Sequence, residues 1–368
     1  MILPGRQRGF SIVELMVAVT IAIVTGIVVL QVLSTYEARR RTITVGNDAE
    51  MSAAVGLYMI EREVRMAGAG FTTPTGLLCG NGINVEYDGT VISDGDPMPF
   101  ARITDGGAGA DRIDVMRSDS AFGVAPATVT RLMGSAADDV SVESTVGLRQ
   151  GDLFLVASSD GVKRCTLMQV SAAPTKVGSS WTLVHGSGSS AYNPTDPAGT
   201  FTNAVAYDVG DVVFNLGTFG VQAFRVVCND GAAPSTTNSC VLGSSDAVAG
   251  PDDPAIADLD VVASQVVDFQ AQYGVAPAGS QDVNEWVDAT GEWEDPDAAH
   301  QRRIKAIRMS VVTRGSLERE MVSPDTLVLW DPGGAGERTI ALTDDQRYYR
   351  YKVLTVVVPI INMIWAGV

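Results

Sequence analysis

No feature of this chain limits its folding more than residues 10–33, FSIVELMVAVTIAIVTGIVVLQVL. The run is apolar almost throughout and carries one charge, Glu14. As a helix it reaches roughly 36 Å at 1.5 Å per residue, enough to cross a bilayer core of about 30 Å. It has no proline and one glycine, Gly26. Ahead of it lies a short basic leader, MILPGRQRG, with Arg6 and Arg8 and no acid. Two simple readings compete. A secretory signal peptide has an apolar core of about 7–15 residues and then a small-residue cleavage site. This run is longer, and only Val32-Leu33-Ser34 offers a weak site. A plain membrane anchor explains the length but not Glu14, because a carboxylate within a membrane segment costs roughly 2.5–3.5 kcal/mol at the centre and less near the edge.

Gly9-Phe10-Ser11-Ile12-Val13-Glu14-Leu15 resembles the processing site of type IV pilins and type II secretion pseudopilins: a basic leader, Gly, Phe, three residues, Glu, then a long apolar helix. The resemblance implies that prepilin peptidase cuts between Gly9 and Phe10 on the cytoplasmic side and methylates the new amine of Phe10. Residues 1–9 are then a removed leader, and residues 10–33 stay as a transmembrane helix that later joins the filament core. Such a helix leaves lipid only where other apolar helices receive it. Glu14 then meets the Phe10 amine of a neighbouring subunit. An ion pair in a dry bundle helps only when both charges meet, so Glu14 reads as a register device. Gly26 is a weak point in the helix.

The chain has 368 residues and a formal charge of −17, which becomes −19 once Arg6 and Arg8 are lost. So acidic a surface argues against nucleic-acid binding. The four cysteines, Cys79, Cys165, Cys228 and Cys240, all lie beyond the apolar run. An even count outside the cytoplasm points to disulfides. Three pairings are open. Closure of a short Gly/Pro/Ser/Thr-rich loop favours Cys228–Cys240, a link worth roughly 3 kcal/mol in the chain-entropy model, and leaves Cys79–Cys165 by elimination. Four buried free thiols are the alternative. No CxxC occurs and the only histidines are His185 and His300, so a zinc site is not expected.

Residues 34–67 continue the helix. Leu57, Ile60, Val64 and Ala67 recur at three- and four-residue spacing, as do Met51 and Val55, and one stripe can lie on a globular domain. Residues 42–46, TITVG, are its weakest stretch. Gly68-Ala69-Gly70 ends it. Residues 60–71, IEREVRMAGAGF, resemble the end of the helix in PilW-type minor pilins. Residues 151–156 (GDLFLV), 267–274 (VDFQAQYG), 307–312 (IRMSVV) and 348–362 (YYRYKVLTVVVPIIN) resemble later segments of that family in order. Ile361-Asn362 stands where family members often carry Arg-Asn, which puts the usual role of that position in doubt.

Without the family, residues 69–368 read as a β-rich, mainly antiparallel domain. Strands are expected over 112–118, 127–133, 152–157, 163–170, 181–184, 211–215 and 222–227. Ile256, Leu259, Ala263 and Val266 sit at helical spacing, which predicts a short helix after Pro254. Val267, Phe269, Ala271 and Tyr273 alternate with Asp268, Gln270 and Gln272, the pattern of a half-buried strand. Residues 274–300 read as an acidic loop with Trp286 and Trp293. The last apolar run, 353–365, is too short to span a membrane and reads as a buried strand. The fold class is α+β, a long N-terminal helix on a β-rich domain.

No catalytic constellation is present: no GxSxG elbow, P-loop or HExxH. His185, in a Gly/Ser turn, is expected to face solvent. The 106–107 and 333–334 glycine pairs read as turns. Asp94, Asp96, Asp252, Asp253, Asp295 and Asp297 form acidic turns, none an EF-hand. The 274–297 loop can bind calcium or simply be solvated. Trp286 and Trp293 suit either a contact surface or the core.

The resemblance implies a minor pilin without catalytic residues or cofactor that primes pilus assembly and twitching. It would sit in the inner membrane with its domain in the periplasm, then at or near the tip of an extracellular pilus. Its partners would be other minor pilins, the major pilin, prepilin peptidase, the assembly platform and a tip adhesin. The alternatives are a J-like tip pseudopilin of type II secretion and a pilus-borne adhesin or ligand-binding module.

Overall fold

The computed structural model describes residues 11–73, 76–118, 126–145, 147–202, 204–229, 240–251, 254–334 and 336–365. One helix, Ile12–Met66, runs for 55 residues, about 83 Å. It passes through Gly26 and through 42–46 without a break. A few unfavourable residues cost up to about 1 kcal/mol each, less than interrupting a cooperative helix on both sides. The helix stops where the chain needs left-handed backbone: Gly68 has φ +76° and Gly70 φ +85°. A Cβ on Gly68 would also stand 2.6 Å from the Phe100 ring, so glycine is required there twice over.

The helix has two unlike halves. Every residue from 11 to 37 is exposed. From Ala49 onward one stripe is buried: Ala49, Ala53, Leu57, Ile60, Val64 and Ala67. Leu57, Ile60, Val64 and Ala67 are the members expected from spacing. Met51 and Val55 fall on another row and stay 66% and 52% exposed. Small residues decide which row docks. A Cβ on Gly56 would meet Ala263 Cβ at 3.1 Å, so the helix backbone approaches the domain along the Ala/Gly side.

The stripe lies on a four-stranded antiparallel sheet, ordered Glu285–Val287, Val266–Val275, Ile304–Leu317, Tyr349–Pro359. Ile60, Phe269, Tyr273, Ile307, Met309, Val311 and Val358 share the largest core. A hairpin, Thr326–Trp330 with Arg338–Ala341, covers part of the other face, where Leu327, Leu329 and Trp330 pack with Val312. The Val266–Val275 strand is therefore buried on both faces, not half-buried. Its polar row is satisfied instead: Gln270 Nε2 donates to Gly109 O and Asp268 Oδ1, and Gln272 Nε2 donates to Asp288 Oδ1. Residues 256–266 also differ from expectation. Only a 3-10 turn, Ile256–Asp258, forms, followed by strand Asp260–Ser264. Val261 and Val262 are β-branched, and Val262 and Ala263 pack against the long helix as an extended chain. Gln265, at φ +57°, bends the chain into the next strand.

Two large sheets carry most of the middle of the chain, beside a three-stranded one of Thr175–Val177, Ser180–Leu183 and Val140–Val142. A five-stranded sheet is ordered Asp260–Ser264, Cys240–Asp246, Phe219–Cys228, Arg112–Ser118, Ala101–Thr104. A six-stranded sheet is ordered Thr90–Asp96, Ile83–Tyr87, Cys165–Gln169, Leu153–Ala157, Val212–Gly217, Ala127–Thr128, with one parallel pair, Cys165–Gln169 on Ile83–Tyr87. Leu153, Leu155 and Ala157 face the main core. Phe154 and Val156 face a second one with Met133, Leu183 and Tyr207. That double burial explains the unbroken apolar run there. The strand expected over 127–133 is regular only at Ala127–Thr128, with isolated bridges at Val129 and Met133.

Asp111 ties the middle region to the helix-bearing sheet. Its N–H donates to Phe269 O at 2.7 Å, and its Oδ2 accepts from Ala271 N–H at 2.7 Å. It thereby stands in for a neighbouring strand along part of Val266–Val275. Burial pushes its carboxyl up to about 6, against the pull of the N–H groups of Gly106 and Ala271.

Candidate assembly surface

At the N-terminus Ser11 is extended and Leu15 N–H donates back to Ser11 O. Glu14 lies in the first helical turn and is exposed, where the helix dipole favours a negative charge. Gly9 and Phe10 lie outside the described residues. The segment Ile12–Glu37, 26 residues, is long and apolar enough to cross a membrane and is 0% buried. Its threonine and serine hydroxyls are turned inward to the backbone. Thr20 donates to Met16 O and Val17 O, Thr25 to Ile21 O, and Ser34 and Thr35 to Gln31 O. Each of these four hydroxyls is satisfied without water. The result is a bare rod with one carboxylate near its tip, far beyond the scattered exposed apolar residues normal for a soluble surface.

The other end of the helix is held by the C-terminus. Asn362 Nδ2 donates to Met66 O at 3.2 Å and to Ala67 O at 3.0 Å, carbonyls that a helix end leaves without an intrahelical partner. Asn362 sits in a short closing helix, Ile361–Trp365. The terminal run is thus a strand, Tyr349–Pro359, and then a helix, and the strand lies on the sheet edge with Val358 its one fully buried residue. Buried Lys305 donates to Met363 O at 2.8 Å, and burial lowers its pKa. Arg308 stands between two indoles, 4.8 Å from Trp286 and 4.6 Å from Trp330, with its Nη atoms donating to Asp331 Oδ2 and Gln272 Oε1. Trp293 is buried against His300 and Arg303. Both tryptophans therefore serve internal packing. Residues 274–300 are less loop-like than expected, with strand Glu285–Val287, turn Gly291–Trp293 and helix Ala298–Arg303.

Disulfides join Cys79 to Cys165 and Cys228 to Cys240. The second links directly opposed residues of neighbouring strands. His185 is 2% exposed with Nε2 2.8 Å from Asp138 O, the opposite of the solvent-facing position expected from its Gly/Ser context. Asp94 accepts from Thr202 N–H, Asp295 pairs with Arg102, and Asp297 caps Ala298–Arg303. Asp96 is exposed; Asp252 and Asp253 lie outside the described residues. Among the described residues no group of three or more His, Cys, Asp or Glu is gathered to hold a metal. A cleft of about 510 Å³ opens between Met98, Met116, Val221 and Pro296. Its two arginines are each paired, Arg102 with Asp295 and Arg112 with Asp114, both at 2.6 Å.

Two family models match. The prokaryotic N-terminal methylation motif matches residues 4–29, and the type IV pilus-assembly protein W family matches residues 248–362. Together the two matches support a PilW-type minor pilin. No curated protein and no solved structure matches it. The PilW match begins at Val248, just after strand Cys240–Asp246, and ends on Asn362, the residue that caps the helix. In this minor pilin the matched part is the strand and sheet that receive the helix and the clasp that closes its end. The middle region lies outside both matches. The methylation motif with the bare apolar helix fits a pilin anchored in the inner membrane and assembled into a pilus. Sequence reasoning left Asn362 without a role. Its position after a strand-ending proline gives no sign that the chain returns to the helix end.

Proposed function

We propose that this minor pilin is a non-catalytic subunit that primes pilus assembly at the inner membrane and takes a place at or near the filament tip. The bare half of the helix carries the proposal: a 26-residue exposed and mainly apolar segment has lipid or sister helices as its only stable surroundings. Cleavage between Gly9 and Phe10 and methylation of Phe10 by prepilin peptidase free the rod for transfer. Glu14 sets its register by meeting the Phe10 amine of a neighbour. The domain faces the periplasm, where two disulfides suit an oxidising compartment. Its bulk on a single helix suits a cap better than a repeating shaft. Other minor pilins, the major pilin and the assembly platform are its partners.

Glu14→Ala tests this reading. The variant is expected to be processed and inserted normally, while its recovery in sheared filaments falls at least tenfold. Normal recovery would refute the register role. Unchanged piliation in a strain lacking the whole chain would refute the priming role.

A further inference from the structure

The helix-bearing sheet ends in a strand unlike its other edge. Glu285–Val287 is three residues long, and beyond it Asp111 occupies the edge at Phe269 and Ala271. Tyr349–Pro359 is 11 residues long and pairs only with Ile304–Leu317 among the described residues. Every second residue of such a strand turns its N–H and C=O away from the sheet. Between Lys352 and Pro359 the run is Val353-Leu354-Thr355-Val356-Val357-Val358, with no charge to deter a second strand. A groove of about 410 Å³ lies beside it, lined by Ala54, Leu57 and Tyr58 of the helix and by Leu354 and Val356 of the strand. The Glu50–Lys352 ion pair, 3.1 Å long, lies at its rim. On the sheet's other face Val357 is 50% exposed.

We propose that this edge accepts an added β-strand from a different pilin subunit. The donor is extended, uncharged and apolar on both faces: one set of side chains fills the groove and the other covers Val357. A second copy of this chain does not fit. Antiparallel pairing of two such edges needs a two-fold axis normal to the sheet. That axis reverses the helices lying on it, so both bare halves could not enter one bilayer from the same side. Parallel pairing of the same edges puts the helices on opposite faces, with the joint sheet between them. The net charge of −17 on each copy adds repulsion. The groove is continuous with the helix whose bare half seeks neighbours, so one partner can engage both.

This inference rests on the minor-pilin reading, and amide hydrogen exchange separates the two. The probe is the full chain in detergent, alone and co-purified with the other pilin-type subunits of its own cell. Amides over 353–358 are expected to exchange at least tenfold more slowly in the complex, and Val357→Lys to abolish that protection. A complex without protection there, or protection that survives Val357→Lys, would overturn the edge pairing and leave the minor-pilin reading standing. Protection in the purified chain alone that grows with its concentration would overturn the choice of a different subunit. Failure to form any complex would overturn both.

Discussion

The two halves of the long helix are built from one continuous backbone yet solve opposite problems. The half from Ile12 to Glu37 is apolar on all sides and touches nothing in the monomer. The half from Ala49 to Ala67 is apolar on one stripe and docked along it. The first is stable only in surroundings that others supply. The second finds them in its own chain. An all-round apolar helix advertises lipid or a bundle; a striped one advertises a single packing partner.

The sharpest way to break this contrast is by truncation. Ile60→Ala in the docked stripe is expected to lower the unfolding free energy of the full chain in detergent by about 2–5 kcal/mol. Ile23→Ala in the bare half should change it by less than about 0.5 kcal/mol. Equal losses would mean that the bare half is part of the domain. The next effect is on pH. The Asp111 carboxyl holds its proton to about 6 in the folded chain against 3.8 ordinarily. Its contribution is therefore fully present below about pH 4 and is lost as pH rises through about 6, by up to roughly 3 kcal/mol. Urea unfolding at pH 4.5 and pH 7.5 should show Asp111→Asn losing that share of the slope. An unchanged slope would remove Asp111 as its source. A smaller effect is expected at the clasp: Asn362→Ala should cost about 1–2 kcal/mol and speed amide exchange at Gly68–Phe71. No change there would make the clasp incidental.

How much of this could be read in advance follows the same division. The bare half and Glu14 were legible because their signal is local: length, absence of charge and fixed spacing. Leu57, Ile60, Val64 and Ala67 were legible as a stripe. Met51 and Val55 show equal spacing, but only the closeness of Gly56 to Ala263 decides which row docks. The helix expected after Pro254 failed for a related reason. Ile256, Leu259, Ala263 and Val266 fit a helical period, yet Ile256 enters only a 3-10 turn, and the sheet and helix on either side hold the other three extended. The buried polar row of Asp268, Gln270 and Gln272 looked solvent-facing because its cover, residues 105–111 and the Thr326–Ala341 hairpin, is distant in sequence. His185 was misplaced likewise, since Asp138 O, which receives its ring nitrogen, belongs to another turn.

The central claim is that the apolar rod is kept, trimmed and exchanged from lipid into a filament. Intact-mass and N-terminal peptide measurement on the protein from filaments tests it most directly. The expected chain begins at Phe10 with a methylated amine and retains residues 10–33. A mature chain that begins at Thr35, or one that keeps Met1 in cells with active prepilin peptidase, would contradict it.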